Sequence, residues 1–201
     1  MEAYVKLAKQ ELRIRLGAAR MGMEVADRER ADTAIEAKVL RLPQLQAADA
    51  VFCYCSRGSE VETRGILQHL WDANVPVALP RCLPDTHTMR WYRTGSLEGL
   101  EERSYGIDEP VPNAEGLMYP IEFKNPVVIV PAVAFDTEGY RLGHGSGYFD
   151  RFLADFNGIT VGLCRQKQLV KSLRELNAVE AHDVPVNLVV TDKSIIQVGR
   201  E

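Results

Sequence analysis

Short apolar runs alternate with stretches of helical periodicity along most of this chain, and that alternation is the strongest constraint on its fold. The runs Ala50–Cys55, Val75–Pro80, Pro126–Val133, Ile159–Cys164 and Val186–Thr191 are too short for typical helices and read as buried strands. Met89–Arg93 reads as a further strand. Between them the spacing predicts helices over Glu62–Ala73, with Asn74 as a stop, over Tyr148–Phe156, and over Leu169–Leu176. The first forty residues are also helical in pattern. Leu7, Leu12, Leu16 and Ala19 form an apolar stripe, and Lys6, Lys9, Arg13 and Arg20 fall near one other face. Gly22 and Met23 break this helix, and a second runs from Asp27 to Leu42, stopping at Pro43. Gly95–Pro126, dense in Gly, Pro and Glu, reads mainly as loop. Strands that alternate with helices form a mainly parallel sheet covered on both faces. The expected fold class is therefore α/β: a three-layer α/β/α arrangement with a mainly parallel central sheet. At 201 residues, a single domain over 1–201 accounts for the whole length.

Composition narrows the function classes. A hydrophobic share of 46% and a charged share of 26% are ordinary for a globular protein. The net charge of −4 argues against a nucleic-acid binder. No run approaches the roughly 18 apolar residues of a membrane span, and Pro131 interrupts the longest one, Val127–Phe135. The first residues, Met1–Lys6, have no apolar core of a signal peptide. Cys53, Cys55, Cys82 and Cys164 contain no C-x-x-C pair, so zinc-site spacing is missing and reduced core cysteines are expected. Together these point to a cytoplasmic protein that engages neither nucleic acid nor membrane.

The chemistry concentrates in one segment. Gly143, Gly145 and Gly147 alternate at every second position, after Gly139, between a predicted strand and a predicted helix. Glycines let backbone amides turn towards a ligand without Cβ obstruction, and such amides suit a phosphate. The segment is neither a Walker A loop nor a dinucleotide fingerprint. Taken alone, such a run is equally well a tight turn. Its flanks add charge: Arg141 and Arg151 are cationic, and Asp136 and Asp150 are carboxylates. Carboxylates beside a phosphate loop make chemical sense if Mg²⁺ lies between them.

The stretch Val130–Arg151, reading V-P-A-V-A-F-D-T-E-G-Y-R-L-G-H-G-S-G-Y-F-D-R, closely resembles the signature of the 5-formyltetrahydrofolate cyclo-ligase family, also called methenyltetrahydrofolate synthetases. The resemblance extends over almost the whole chain. Lys9 and Arg13 are similar to the family's K-x-x-x-R, and Ser59–Thr63 to its E-V-x-T segment. Leu79–Arg81 with Met89, Tyr105–Pro110 and His182–Asn187 resemble further family stretches.

This resemblance implies an enzyme: a ligase that uses Mg-ATP to convert 5-formyltetrahydrofolate into 5,10-methenyltetrahydrofolate, with ADP and phosphate released. It implies ATP contacts by Lys9, Arg13, Arg141, Gly143, His144, Gly145, Ser146, Gly147, Tyr148 and Phe149. It implies folate contacts by Cys55, Glu60, Met89, Tyr105 and Tyr148. Arg141 and Tyr148 would sit at the reacting centre, and Asp150 and Asp183 would be Mg²⁺ ligands, directly or through water. A monomer is the expected state. Ser146, Phe149 and Asn187 depart from residues common in the family, and none of these changes removes an implied ligand. Two other readings stay open from the residues: a relative that binds folate or nucleotide without turnover, and an ATP-dependent ligase for another heterocycle, since fold does not dictate function.

Overall fold

A computed structural model describes residues 2–103 and 106–199. Helices are α1 (Glu2–Met21), α2 (Val25–Val39), α3 (Pro43–Gln46), α4 (Arg64–Asp72) and α5 (Tyr148–Ala154). Strands, in chain order, are β1 (Ala50–Cys53), β2 (Val77–Leu83), β3 (Thr88–Thr94), β4 (Glu101–Glu102), β5 (Asp108–Glu109), β6 (Leu117–Met118), β7 (Pro126–Val130), β8 (Ala134–Asp136), β9 (Arg141–Leu142), β10 (Ile159–Leu163), β11 (Leu169–Val170), β12 (Leu188–Val190) and β13 (Ile195–Gln197).

Eight of these strands form one sheet in the order β13-β12-β10-β7-β1-β2-β3-β6. The inner strands β12, β10, β7, β1 and β2 run parallel, and the edges β13 and β3-β6 are antiparallel. This is the α/β fold with a mainly parallel sheet that the alternation predicts. Every residue of β1 and β7 is buried, as expected when both faces are covered. Alternate residues feed two cores. Val51, Cys53, Val127 and Ile129 pack with Ile35 and Val39 of α2 and with Ile66, Leu67 and Leu70 of α4. Phe52, Val128 and Val130 pack on the other face with Leu153 of α5 and with Phe135 and Phe156. An aromatic cluster seats α5: Phe152 lies 4.8 Å from Trp91 and 5.3 Å from Phe156, and Phe52 lies 5.4 Å from Trp91. Offset and edge-on contacts of this kind fix ring orientation as well as burying area.

The second face is not closed by helix alone. A small sheet, β11-β8-β9, docks there and carries the glycine segment. The expected strand Pro126–Val133 ends at Val130, and the glycine segment does not follow it directly; the hairpin β8-β9 intervenes. Gly162 of β10 shows why a glycine stands in a buried strand. A Cβ there would lie 2.4 Å from the ring of Phe135, so the hairpin could not seat on the sheet.

Two further expectations are corrected. Leu169–Leu176 is no helix: Leu169 and Val170 form β11 beside β8, and a turn follows with Asn177 at φ +54°. Backbone groups there are claimed by β8 and its turn, with the Leu173 amide donating to Asp136 (2.7 Å) and Thr137 Oγ1 donating to the Lys171 carbonyl (2.8 Å). The stripe on α1 is also different. Leu7 and Ala19 are exposed, whereas Lys9, Leu12 and Arg20 are buried and Leu16 packs beside them. Of the basic face, Lys9, Arg13 and Arg20 are thus turned inward, and Lys6 stays exposed. Gly95–Pro126 is mainly loop, as its composition predicts, with the two-residue strands β4, β5 and β6 within it.

Asp136 is fully buried and acts in the fold rather than towards a ligand. Its carboxylate accepts the amides of Glu138 (3.0 Å), Tyr140 (2.8 Å) and Leu173 (2.7 Å). Burial pushes its pKa up, and these three amides pull against that shift. In Asp136→Asn the amide nitrogen cannot accept, leaving one buried amide unpaired. Urea unfolding is expected to show a loss of about 1–3 kcal/mol; unchanged stability would contradict this role.

Candidate active site

All the parallel strands end at one edge of the sheet, and the chain segments leaving them converge there, where open α/β sheets place their ligands. β1 leads into the Glu60 loop, β7 into Ala132, and β10 into Arg165. The hairpin β8-β9 delivers the glycine segment to the same edge. Helix α1 crosses beside it, with Leu12 and Leu16 packed on Val133, Ala134 and Leu142.

Arg141 is the anchor of the glycine segment. It is 6% exposed, and burial lowers its pKa while Asp150 and Asp183 oppose that shift. One nitrogen donates to Asp150 Oδ1 (2.5 Å), another to the Val184 carbonyl (2.9 Å). From α1, Arg13 Nε donates to the Gly143 carbonyl (2.8 Å). Burial lowers the Arg13 pKa too, against the charges of Asp183, Glu180 and Asp150. Lys9 Nζ donates to Glu180 Oε2 and Asp183 Oδ2, both at 2.7 Å. Gly145 and Gly147 have φ of +107° and +72°, backbone that L side chains rarely adopt. Gly147 opens α5, so Tyr148, Phe149 and Asp150 follow as its first turn. Phe149 packs edge-on to Trp91 at 6.3 Å, and the Tyr148 ring lies 5.6 Å from His87. Arg151 donates to the Ser146 carbonyl (3.1 Å), closing the segment's far side.

The Glu60 loop meets the glycine segment across one seam. His144 Nε2 lies 3.7 Å from Glu60 Oε1, while Glu60 Oε2 accepts the Arg57 amide (2.9 Å). A cavity of about 130 Å³ opens beside Glu60, lined among others by Ser56, Arg57, Glu62 and Arg64. Burial pushes the Glu62 carboxyl up, but Ser56 and Arg64 outweigh it and hold it below its ordinary range.

The sequence-derived residues therefore fall into groups. Lys9, Arg13, Arg141, Gly143, His144, Gly145, Ser146, Gly147, Tyr148, Phe149, Asp150 and Asp183 surround one loop, and Glu60 adjoins it through His144. Met89 is half-buried on β3 against the second core. Cys55 is 5% exposed within the first core, and burial raises its thiol pKa. All four cysteines are free. Tyr105 lies outside the described residues. Asn187 holds β12 to β10, accepting the Thr160 amide (2.9 Å) and donating its own amide to Thr160 Oγ1 (2.7 Å).

Four residues near this site were not picked out from the sequence. Glu180 shares Lys9 with Asp183, Arg165 and Asp32 hold the Glu60 loop, and His87 faces Tyr148. Only Glu180 had a local signal, two residues before His182-Asp183. Glu180, His182 and Asp183 bring ligand-type atoms within 4.8 Å of one another, but the Lys9 ammonium already bonds both carboxylates.

Known proteins match this chain over most of its length. Residues 5–192 match the model of the 5-formyltetrahydrofolate cyclo-ligase family. The 5-formyltetrahydrofolate cyclo-ligase of Haemophilus influenzae is 30% identical over 182 residues, covering 89% of this chain and 94% of that protein. The Escherichia coli cyclo-ligase is 29% identical, covering 79% and 86%. The solution structure of the Aquifex aeolicus 5,10-methenyltetrahydrofolate synthetase superposes with a TM-score of 0.80 at 29% identity, over 96% of this chain and 95% of that one. The fold is that of an α/β ligase. The chain belongs to the 5-formyltetrahydrofolate cyclo-ligase family. Among the described residues, no helix is long and apolar enough to cross a membrane.

Lys9 offers a direct test of the inward basic face. Its side chain is 9% exposed, between two carboxylates. Lys9→Met leaves those charges uncompensated, and denaturant unfolding is expected to lose about 3–5 kcal/mol. A loss within 0.5 kcal/mol, the range of an ordinary surface substitution at about ±0.5, would contradict the buried pairing.

Proposed function

We propose that this protein converts 5-formyltetrahydrofolate and Mg-ATP into 5,10-methenyltetrahydrofolate, ADP and phosphate. The observation that carries the proposal is the seam between His144 and Glu60, which sets a cation-lined glycine loop directly beside a loop carboxylate at the ends of the sheet strands.

The chemistry sets clear demands. A formamide oxygen leaves poorly, so it must first be phosphorylated. The formyl oxygen attacks the γ-phosphorus and the bond to ADP breaks. N10 then attacks the activated carbon and gives up its proton, the phosphate departs with the formyl oxygen and can carry that proton away as hydrogen phosphate, and the ring closes. Most of the protein's task is to align reactants and neutralise charge. The amides of Gly143–Phe149 hold the ATP phosphates. Arg141, Arg13 and Lys9 balance their charge, and Tyr148 stands where the γ-phosphate meets the formyl group. Glu60 accepts hydrogen bonds from the folate, and Met89, Cys55 and Tyr105 line its pocket.

Asp150 and Asp183 suit a magnesium ion in their chemistry: both offer hard carboxylate oxygens, and both act on the same buried Arg141. Bound there, Mg²⁺ would shield phosphate charge. The free protein's own ion pairs make the two ligands interdependent. Lys9 is held by Asp183 and Glu180, and Arg141 by Asp150.

An absorbance assay decides the proposal, because the methenyl product has its own near-ultraviolet band. Product is expected only with both 5-formyltetrahydrofolate and Mg-ATP; none at any pH would contradict it. Asp150→Asn is expected to raise the Mg²⁺ concentration for half-maximal rate at least about tenfold, near 1.4 kcal/mol, and to lower turnover. Unchanged Mg²⁺ dependence would remove Asp150 from this role.

A further inference from the structure

Arg165 follows β10 by two residues and keeps only 1% exposure. A buried guanidinium is costly unless its donors are met, and here they are met in a particular way. Nε and one terminal nitrogen grip both oxygens of Asp32 on α2, at 2.7 and 2.6 Å. Two more donors reach the carbonyls of Ser59 and Glu60, each at 2.9 Å. Asp32 Oδ2 also accepts the Glu62 amide (3.3 Å). The fork therefore takes hold of residues 59, 60 and 62 by their backbone, on both sides of Val61. Tyr54 Oη adds a bond to the Val61 carbonyl (2.9 Å).

Helix α2 has anchors besides this pair. Ile35 and Val39 are fully buried in the first core, and Lys38 Nζ donates to the Asp192 carbonyl (2.8 Å). The loop has less to hold it: among residues 57–62 only Val61 is buried. Loss of the fork should therefore be felt in the loop first.

We infer that Arg165 and Asp32 are positioning residues that fix the Glu60 carboxylate against the glycine loop, and so set recognition of the folate independently of the nucleotide. The inference rests on the reading of Glu60 as the folate contact. Arginine is required because one planar fork spans a carboxylate and two carbonyls, whereas a lysine ammonium is a single point of charge.

Arg165→Lys and the near-isosteric Asp32→Asn test it. Each is expected to raise KM for 5-formyltetrahydrofolate about tenfold while KM for Mg-ATP stays within about twofold, a split equal to about one decade of affinity. Hydrogen–deuterium exchange, which needs no turnover, should quicken in residues 57–62 and stay unchanged in 143–149. An equal rise in both KM values would overturn the inference. So would unchanged exchange in the loop, or loss of folding in both variants, since each makes the pair a general brace. If the wild-type protein shows no turnover, the functional reading falls, while selective loss of protection in 57–62 still decides the clamp.

Discussion

The contact of the Phe135 ring with Gly162 is the constraint on which the site depends. It seats a small three-stranded sheet on the main one without an intervening side chain. The hairpin β8-β9 is thereby held at the end where the parallel strands stop. Arg141 lies on this hairpin, the glycine segment leaves it, and α5 follows immediately. The aromatic cluster of Phe52, Trp91, Phe152 and Phe156 then holds α5 from the other side. A segment rich in glycine has little rigidity of its own. Its shape is imposed by the two anchored elements that bracket it.

Electrostatics acts at a second level. Lys9, Arg13 and Arg141 beside the loop are buried or half-buried, and burial lowers the pKa of both Arg13 and Arg141. Each is met by a carboxylate or a carbonyl. Those pairs satisfy the fold in the absence of ligand and reserve positive charge at one place. The same economy is visible in the Glu60 loop, whose backbone groups are bonded by Arg165, Asp32 and Tyr54 from three separate parts of the chain.

The strands were legible because buried parallel strands leave continuous apolar runs, and the family signature marked the glycine loop with Lys9 and Arg13. What stayed hidden has physical causes. Local periodicity put Leu7 and Ala19 on the inner face of α1. Tertiary partners overrode it, because Glu180, Asp183, the Gly143 carbonyl and the Ala132 carbonyl draw Lys9, Arg13 and Arg20 inward. The helix expected over Leu169–Leu176 lost to hydrogen bonds from β8 and its turn, which no local pattern displays. Arg165 and Asp32 are 133 positions apart, so their pairing exists only once α2 and β10 are packed. The roles of Met89, Cys55 and Tyr105 stand on the family resemblance alone.

The central claim is that the glycine loop and the Glu60 loop form one site for two substrates. Folate carrying a ¹³C-labelled formyl group, bound together with Mn²⁺ and a non-hydrolysable β,γ-imido ATP analogue, measures this directly. Strong paramagnetic broadening of the formyl carbon is expected in the ternary complex, reversed when Mg²⁺ replaces Mn²⁺. A formyl signal that stays sharp with both ligands bound would place them in separate sites and contradict it.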